Sequence, residues 1–188
     1  LLMRRDAGLS VPADLAGRRV MLSGDEAEIQ FRALLRREGL PADAFDVMPH
    51  TWRLEDLLEG RADAISAYST VEPFEMRARG VSPAMIRPSD YGVDFYDDVL
   101  FTSERLAAGD PALVEAFRRA SLRGWEHAMA HVEDMVAAIA VMPGVQQRQR
   151  TPDLLRAEAD EMRRLMELDL VPIGHMNPGR LERMARAY

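Results

Sequence analysis

Short apolar runs alternate with amphipathic stretches over residues 1–90, and a glycine closes each amphipathic stretch. Leu1-Leu2-Met3 reads as the end of a strand, and Ser10–Leu15 as a capped helical turn stopped by Gly17. Val20-Met21-Leu22-Ser23 is a strand, followed by a helix with Ala27, Phe31, Leu34 and Leu35 on one face and Gly39 at its end. Phe45–Met48 is a second strand, Leu54, Leu57 and Leu58 mark a short helix closed by Gly60, and Ala62–Tyr68 is a third strand. Pro73–Arg79 is a helix ended by Gly80, and Ala84–Ile86 a fourth strand. Strands separated by helices demand crossover connections, so the pattern predicts an α/β fold with a mostly parallel sheet and helices on its faces.

The second half has a different rhythm. Val99–Thr102 reads as one more strand, and the remainder is helical. Asp110-Pro111 caps a helix carrying Leu113, Phe117, Ala120, Gly124 and Ala128, widened by Val114 and Trp125. Val132–Val141 forms a second helix broken at Pro143-Gly144, and Gln146–Arg150 reads as a loop. Thr151-Pro152 and Asn177-Pro178 cap two more helices, with Leu155, Ala159, Met162 and Met166 aligned on one and Leu181, Met184, Ala185 and Tyr188 on the other.

Composition removes several chemistries. The chain has 188 residues, room for one large domain or two small lobes. It contains no cysteine, which excludes a thiol nucleophile, a Cys-ligated zinc and an iron–sulfur cluster in this stretch. All 24 basic side chains are arginine, so no lysine is present to form a Schiff base. A net charge of -7 argues against general nucleic-acid binding. No apolar run approaches the length of a membrane span, and no signal peptide is visible. The opening Leu1-Leu2-Met3, without an initiator methionine, is expected of a processed chain or an excised piece.

Three stretches carry polar chemistry at strand ends. Ser23-Gly24-Asp25-Glu26 joins a strand to a helix. It is either a capped helix start or a ligand loop at the carboxyl end of a parallel strand, where open α/β sheets bind ligands. It lacks the Gly-Lys-Ser/Thr ending of a phosphate loop. Tyr68-Ser69-Thr70-Val71-Glu72-Pro73-Phe74 brings a ring, hydroxyls and a carboxylate together. A carboxylate beside an aromatic ring suits a flat, nitrogen-rich heterocycle, and the competing reading is a helix entry capped by Thr70. Tyr91-Gly92-Val93-Asp94-Phe95-Tyr96-Asp97-Asp98 is either a hinge packed by aromatics, a ligand wall or an acidic surface; its spacing does not match a hand-type calcium loop. His50, His127, His131 and His175 are scattered, and no HExxH spacing exists; His127 and His131 stand four apart, as a solvated face or a metal pair. The paired arginines alternate with acids and read as solvated helix faces.

Several of these segments resemble a known family. Pro12-Ala13-Asp14-Leu15-Ala16-Gly17-Arg18-Arg19-Val20 resembles the opening of the second lobe in type II periplasmic solute-binding proteins, and Gly60-Arg61-Ala62-Asp63-Ala64 resembles their later Gly-x-x-Asp-Ala entry into a strand. The Tyr68–Phe74 and Tyr91–Thr102 stretches, with Arg118-Arg119-Ala120-Ser121-Leu122-Arg123-Gly124-Trp125, look like the thiamine-pyrimidine-precursor branch of that superfamily. Gly174-His175-Met176-Asn177-Pro178-Gly179-Arg180 looks most like its sensor-type members. The chain departs from the branch in having a single Gly24 where a glycine run is common and Asp97 where glycine is common.

The resemblance implies a two-lobed α/β fold whose first lobe is incomplete here. Residues 1–13 are expected to be the remnant of the first lobe and the crossover, 14–90 the second α/β lobe, and 91–188 the return crossover with the helical C-terminal part of the first lobe. It implies binding of a small, heteroaromatic solute in an interlobe cleft, with hinge closure as the signal. The implied ligand-binding residues are Gly24, Asp25, Tyr68, Thr70, Glu72, Tyr91, Asp94 and Tyr96. Neither cofactor nor metal is expected. The partners expected are a small-molecule ligand, a membrane-linked signalling module or an ABC permease, and a second copy in a homodimer, with no nucleic acid. The expected location is periplasmic or otherwise extracytoplasmic. A substrate-binding subunit of an ABC importer and a pyrimidine-precursor synthase are the alternatives to a sensor domain.

Overall fold

A computed structural model describes residues 1–96, 98–148 and 150–187, with Asp25 described through its backbone alone. The chain divides into two compact units, one formed by Leu1–Phe95 and the segment from Asn177 onward, the other by Tyr96–Met176.

The first unit is built on a five-stranded sheet. Its strands are β1 (Leu2–Arg4), β2 (Arg19–Leu22), β3 (Asp46–Pro49), β4 (Ala64–Ile65) and β5 (Pro83–Met85), in the order β3-β2-β4-β1-β5. β2 pairs in parallel with β3 and β4, whereas β1 runs antiparallel to both β4 and β5. Four strands therefore point one way and β1 alone opposes them, which is the mostly parallel sheet expected from the sequence. Helices α1 (Gly24–Arg37), α2 (Glu55–Leu58) and α3 (Glu72–Ala78) supply the crossovers.

Alternation along each strand sends neighbouring side chains to opposite faces. Met3, Val20, Leu22 and Ala64 enter one core with Phe31, Leu34 and Leu35 of α1, Phe45 and Ile86. Leu2, Met21 and Ile65 enter the other core with Leu57 of α2 and Met76 of α3. The sheet is thus the middle of three layers. Phe31 meets Phe45 edge to face, with ring centroids 5.1 Å apart.

The two short motifs flanking β2 and β4 come together as one clamp. The Arg19 N–H donates to Asp63 Oδ2 at 2.9 Å, its Nε to the same oxygen at 3.1 Å and its Nη2 to Asp63 Oδ1 at 3.1 Å. The Asp63 N–H returns a bond to the Arg19 carbonyl at 2.9 Å. This two-way pairing sets the register at the start of two parallel strands. It also gives the Gly17-Arg18-Arg19 and Gly60-Arg61-Ala62-Asp63 sequences a shared structural purpose.

The second unit is helical, with α4 (Glu104–Gly109), α5 (Pro111–Ala130), α6 (Val132–Ala140), α7 (Pro143–Gln147) and α8 (Pro152–Met166). Side chains of Ser103, Asp110 and Thr151 cap α4, α5 and α8 by accepting from the third residue onward. Arg156 of α8 grips both carboxylate oxygens of Glu133 on α6, and Arg163 donates to the Met129 carbonyl at 2.7 Å. The last helix, α9 (Pro178–Ala187), belongs to the first unit, where Arg36 of α1 donates to the Ala187 carbonyl at 3.1 Å.

Four local expectations are corrected. Val99–Thr102 forms no strand; its residues are exposed, Phe101 at 86%, with no ladder partner among the described residues. The third strand is only Ala64–Ile65, because Ser66 onward turns to build a loop. Pro143-Gly144 starts α7 instead of leading into a loop, as a proline at the first helical position has no amide to lose. The apolar stripe of α5 does not enter a core: Leu113, Phe117 and Trp125 are exposed, and Met129 is the buried residue of that helix. Asp97 and Tyr188 lie outside the described residues.

Candidate functional site

The carboxyl ends of β2, β3 and β4 converge at one side of the first unit. Ser23 follows β2, His50 follows β3 and Ser66 follows β4. Ser66 ties all three together. The Ser23 N–H donates to Ser66 Oγ at 2.8 Å, and the Ser66 hydroxyl donates to Ser23 Oγ at 2.9 Å. The Ser66 carbonyl receives His50 Nε2 at 2.9 Å. On its other side, His50 Nδ1 accepts the Trp52 N–H at 2.8 Å. A ring nitrogen that accepts carries no proton, so the neutral imidazole holds its hydrogen on Nε2.

Above these loops opens a cleft of about 410 Å³, between the start of α1 and the loop after β3. Ser23, Gly24 and Glu28 form one side; Pro49, His50 and Trp52 form the other. The volume falls in the range of small-molecule sites, roughly 300–1,000 Å³. Ser23 stands at the cap position of α1 but makes no side-chain bond to the helix, being committed to Ser66. The simple capped-helix reading of Ser23-Gly24 therefore does not hold. Gly24 takes φ +75°, a left-handed turn that a side chain would strain.

The loop after β3 is anchored from below. Thr51 Oγ1 donates to Asp56 Oδ2, and Arg61 Nε donates to Asp56 Oδ1. Asp56, on α2, is buried, 4% exposed. The Thr51 hydroxyl, then the Arg61 guanidinium, hold its carboxyl below the usual carboxylate range against the opposing cost of burial. Trp52, between these anchors, has φ +62° and leaves 69% of its surface exposed.

The loop after β4 carries the second predicted stretch. The Tyr68 N–H donates to Glu72 Oε2 at 2.9 Å, while the Tyr68 residue is 53% exposed. Glu72 is the first residue of α3, and the cap position is Val71 without a side-chain bond. Thr70 is thus not the cap; the Glu72 carboxylate organises this turn by reaching back to Tyr68.

The third stretch lies elsewhere in the unit. Tyr91 packs, partly buried, against the α1-side core, and the neighbouring Gly92 sits against the Arg37 guanidinium in the last turn of α1. Asp94 pairs with Arg180 of α9 at 2.7 Å, and Arg180 also donates to the Phe95 carbonyl at 2.7 Å. None of Tyr68, Thr70, Glu72, Tyr91, Asp94 or Tyr96 is among the residues that line the cleft at Gly24, and Tyr96 opens the second unit. Gly24 lines the cleft, and Asp25 follows it in the α1 backbone.

His127 and His131 stack with ring centroids 4.1 Å apart, and among the described residues no group of three His, Asp or Glu side chains is placed to hold a metal ion. Among the described residues no helix is long and apolar enough to cross a membrane.

A family model described as NMT1/THI5 like matches residues 1–135. The chain belongs to the NMT1/THI5-like family. That match spans the whole sheet of the first unit and α5 of the second. The NMT1/THI5-like family has the type II periplasmic binding fold, which agrees with the mixed α/β architecture and its mostly parallel sheet. It is a family of solute-binding proteins for small ligands, typically extracytoplasmic, and the domain is mainly a binding domain. No curated protein matches the chain.

His50 counts in the sequence only as one of four scattered histidines, and Trp52 belongs to none of the three polar stretches. A usable signal was there: Pro49-His50-Thr51-Trp52 follows a parallel strand as directly as Ser23-Gly24 does.

Proposed function

We propose that the chain is an extracytoplasmic sensor domain that recognises a small heteroaromatic, thiamine-pyrimidine-like solute and signals by hinge closure of the type II fold. The observation that carries the reading is the cleft at the joined ends of β2, β3 and β4, bordered by Gly24 and by the exposed ring of Trp52. Ligands of open parallel sheets bind at this end.

In this reading Gly24 and Asp25 meet the ligand from the start of α1. Glu72 bonds a ring nitrogen or amino group, Tyr68 stacks or donates its hydroxyl, and Thr70 positions Glu72 or touches the ligand. Tyr91, Asp94 and Tyr96 lie near the crossover. Zero lysines among 188 residues support binding over pyridoxal-dependent synthesis, since the chain has no amine side chain to hold that cofactor as a Schiff base. Closure reports to a membrane-linked signalling module; in the alternative assignment the same closure presents solute to an ABC permease. A membrane span and signalling module encoded in the same gene mark the sensor, and ligand-dependent uptake through a permease marks the importer.

Calorimetric titration with aminopyrimidines tests the binding claim. Saturable heat that Glu72→Ala weakens supports it. No heat and no rise in Tm with any of them overturns it.

A further inference from the structure

Trp52 combines features that packing alone does not account for. The residue is 69% exposed at the lip of the cleft, and its backbone takes φ +62°. A bulky residue in the left-handed region is strained, and such strain persists where the surroundings over-determine it. Here the surroundings are specific. His50 Nδ1 accepts the Trp52 N–H at 2.8 Å, as an Asx side chain accepts from the residue two positions on. His50 is itself held by Ser66, and the intervening Thr51 is fastened to buried Asp56. The imidazole and indole lie 4.8 Å apart at a 48° tilt, so the indole is braced on one side.

We infer that Trp52 is the ring-stacking wall of the cleft and that His50 is the positioning residue that presents it, giving the site a preference for flat, electron-poor or cationic rings. An indole face attracts such rings through dispersion and its quadrupole. The Glu28 carboxylate across the cleft lies on the side that would meet amino or ring N–H groups. Glu28 is already bonded to Arg32 on α1 and so is held in place. This inference rests on the proposed binding reading and adds the residue that selects ring shape.

The test is calorimetric titration of the whole chain with 4-amino-2-methylpyrimidine, alongside fluorescence of a Trp125→Phe background in which Trp52 is the remaining indole. Trp52→Ala should weaken binding about tenfold while Trp52→Phe stays within about threefold. The Trp52 emission should change on saturation. His50→Asn keeps an acceptor for the Trp52 N–H and should lose less affinity than His50→Phe, which removes that acceptor and should lose several-fold. Unchanged affinity in Trp52→Ala, with the parent binding normally, overturns the wall and leaves the solute-binding reading standing. A parent chain that binds none of the aminopyrimidines overturns both.

Discussion

The Trp52 amide donates to His50 Nδ1 across 2.8 Å, and that bond closes a turn in which Trp52 has φ +62°. The pairing fixes three things at once: the imidazole tautomer, the strained backbone and the outward aim of the indole. Strain without benefit to packing points to the cleft beside it.

Replacing Trp52 by glycine should separate stability from binding. A left-handed conformation costs a side-chain-bearing residue about 1–2 kcal/mol. Glycine removes that cost and returns roughly 0.5–1 kcal/mol through a freer unfolded chain. The Trp52→Gly chain should therefore unfold at an equal or higher urea concentration than the parent while binding aminopyrimidines more weakly. A clear drop in the urea midpoint would contradict the strain argument.

Acid should expose the clamp between β2 and β4. Asp63 is held below the usual carboxylate range chiefly by the hydrogen bonds from the Arg19 side chain, with its backbone amide and charge adding to them. Asp56 is depressed by Thr51 and then Arg61. Their folded values lie below the unfolded value of about 3.9, so their stabilisation is complete above that pH and fades as pH falls through the folded values. Urea midpoints should fall steeply in this acid window. Asp63→Asn should be less stable at pH 7 and should show a shallower acid decline.

The two units should respond differently to loss of apolar groups. Leu34 is fully buried between α1 and the sheet, so Leu34→Ala should cost about 2–5 kcal/mol. Phe101 is 86% exposed, so Phe101→Ser should stay within about 0.5 kcal/mol. Equilibrium denaturation of both variants checks the contrast; equal losses would contradict the exposed placement of Val99–Thr102.

Glu72 should act on the turn as well as on the ligand. Its carboxylate accepts from the Tyr68 amide, so Glu72→Ala removes that brace and Glu72→Gln keeps an acceptor. Amide hydrogen exchange at Tyr68 should accelerate in Glu72→Ala and remain slow in Glu72→Gln. Equal exchange in all three chains would show that the carboxylate does not organise the turn.

Much of the first unit was legible because burial on both faces writes itself into the strands. Leu2-Met3 and Val20-Met21-Leu22 are apolar throughout since each neighbour enters a different core. The helix closures at Gly39, Gly60 and Gly80 were equally plain, each glycine having positive φ. The stripe on α5 misled, because helical periodicity reports amphipathicity and not what covers the apolar side; Phe117 remains 58% exposed. Val99–Thr102 misled because a short apolar run has β propensity without any guarantee of a strand to pair with. At the cleft, Gly24 was visible from its place after a strand. His50 and Trp52 share such a place after β3, but their roles lie in a hydrogen bond two residues long and in a positive φ that no residue type announces.

The most direct measurement is hydrogen–deuterium exchange of the whole chain with and without saturating 4-amino-2-methylpyrimidine. The account predicts slowed exchange in the segments around Ser23–Glu28, Pro49–Arg53 and Ser66–Glu72, the three loops that Ser66 and its neighbours draw together. Saturable binding with protection confined to other segments would contradict a site at the carboxyl ends of β2, β3 and β4.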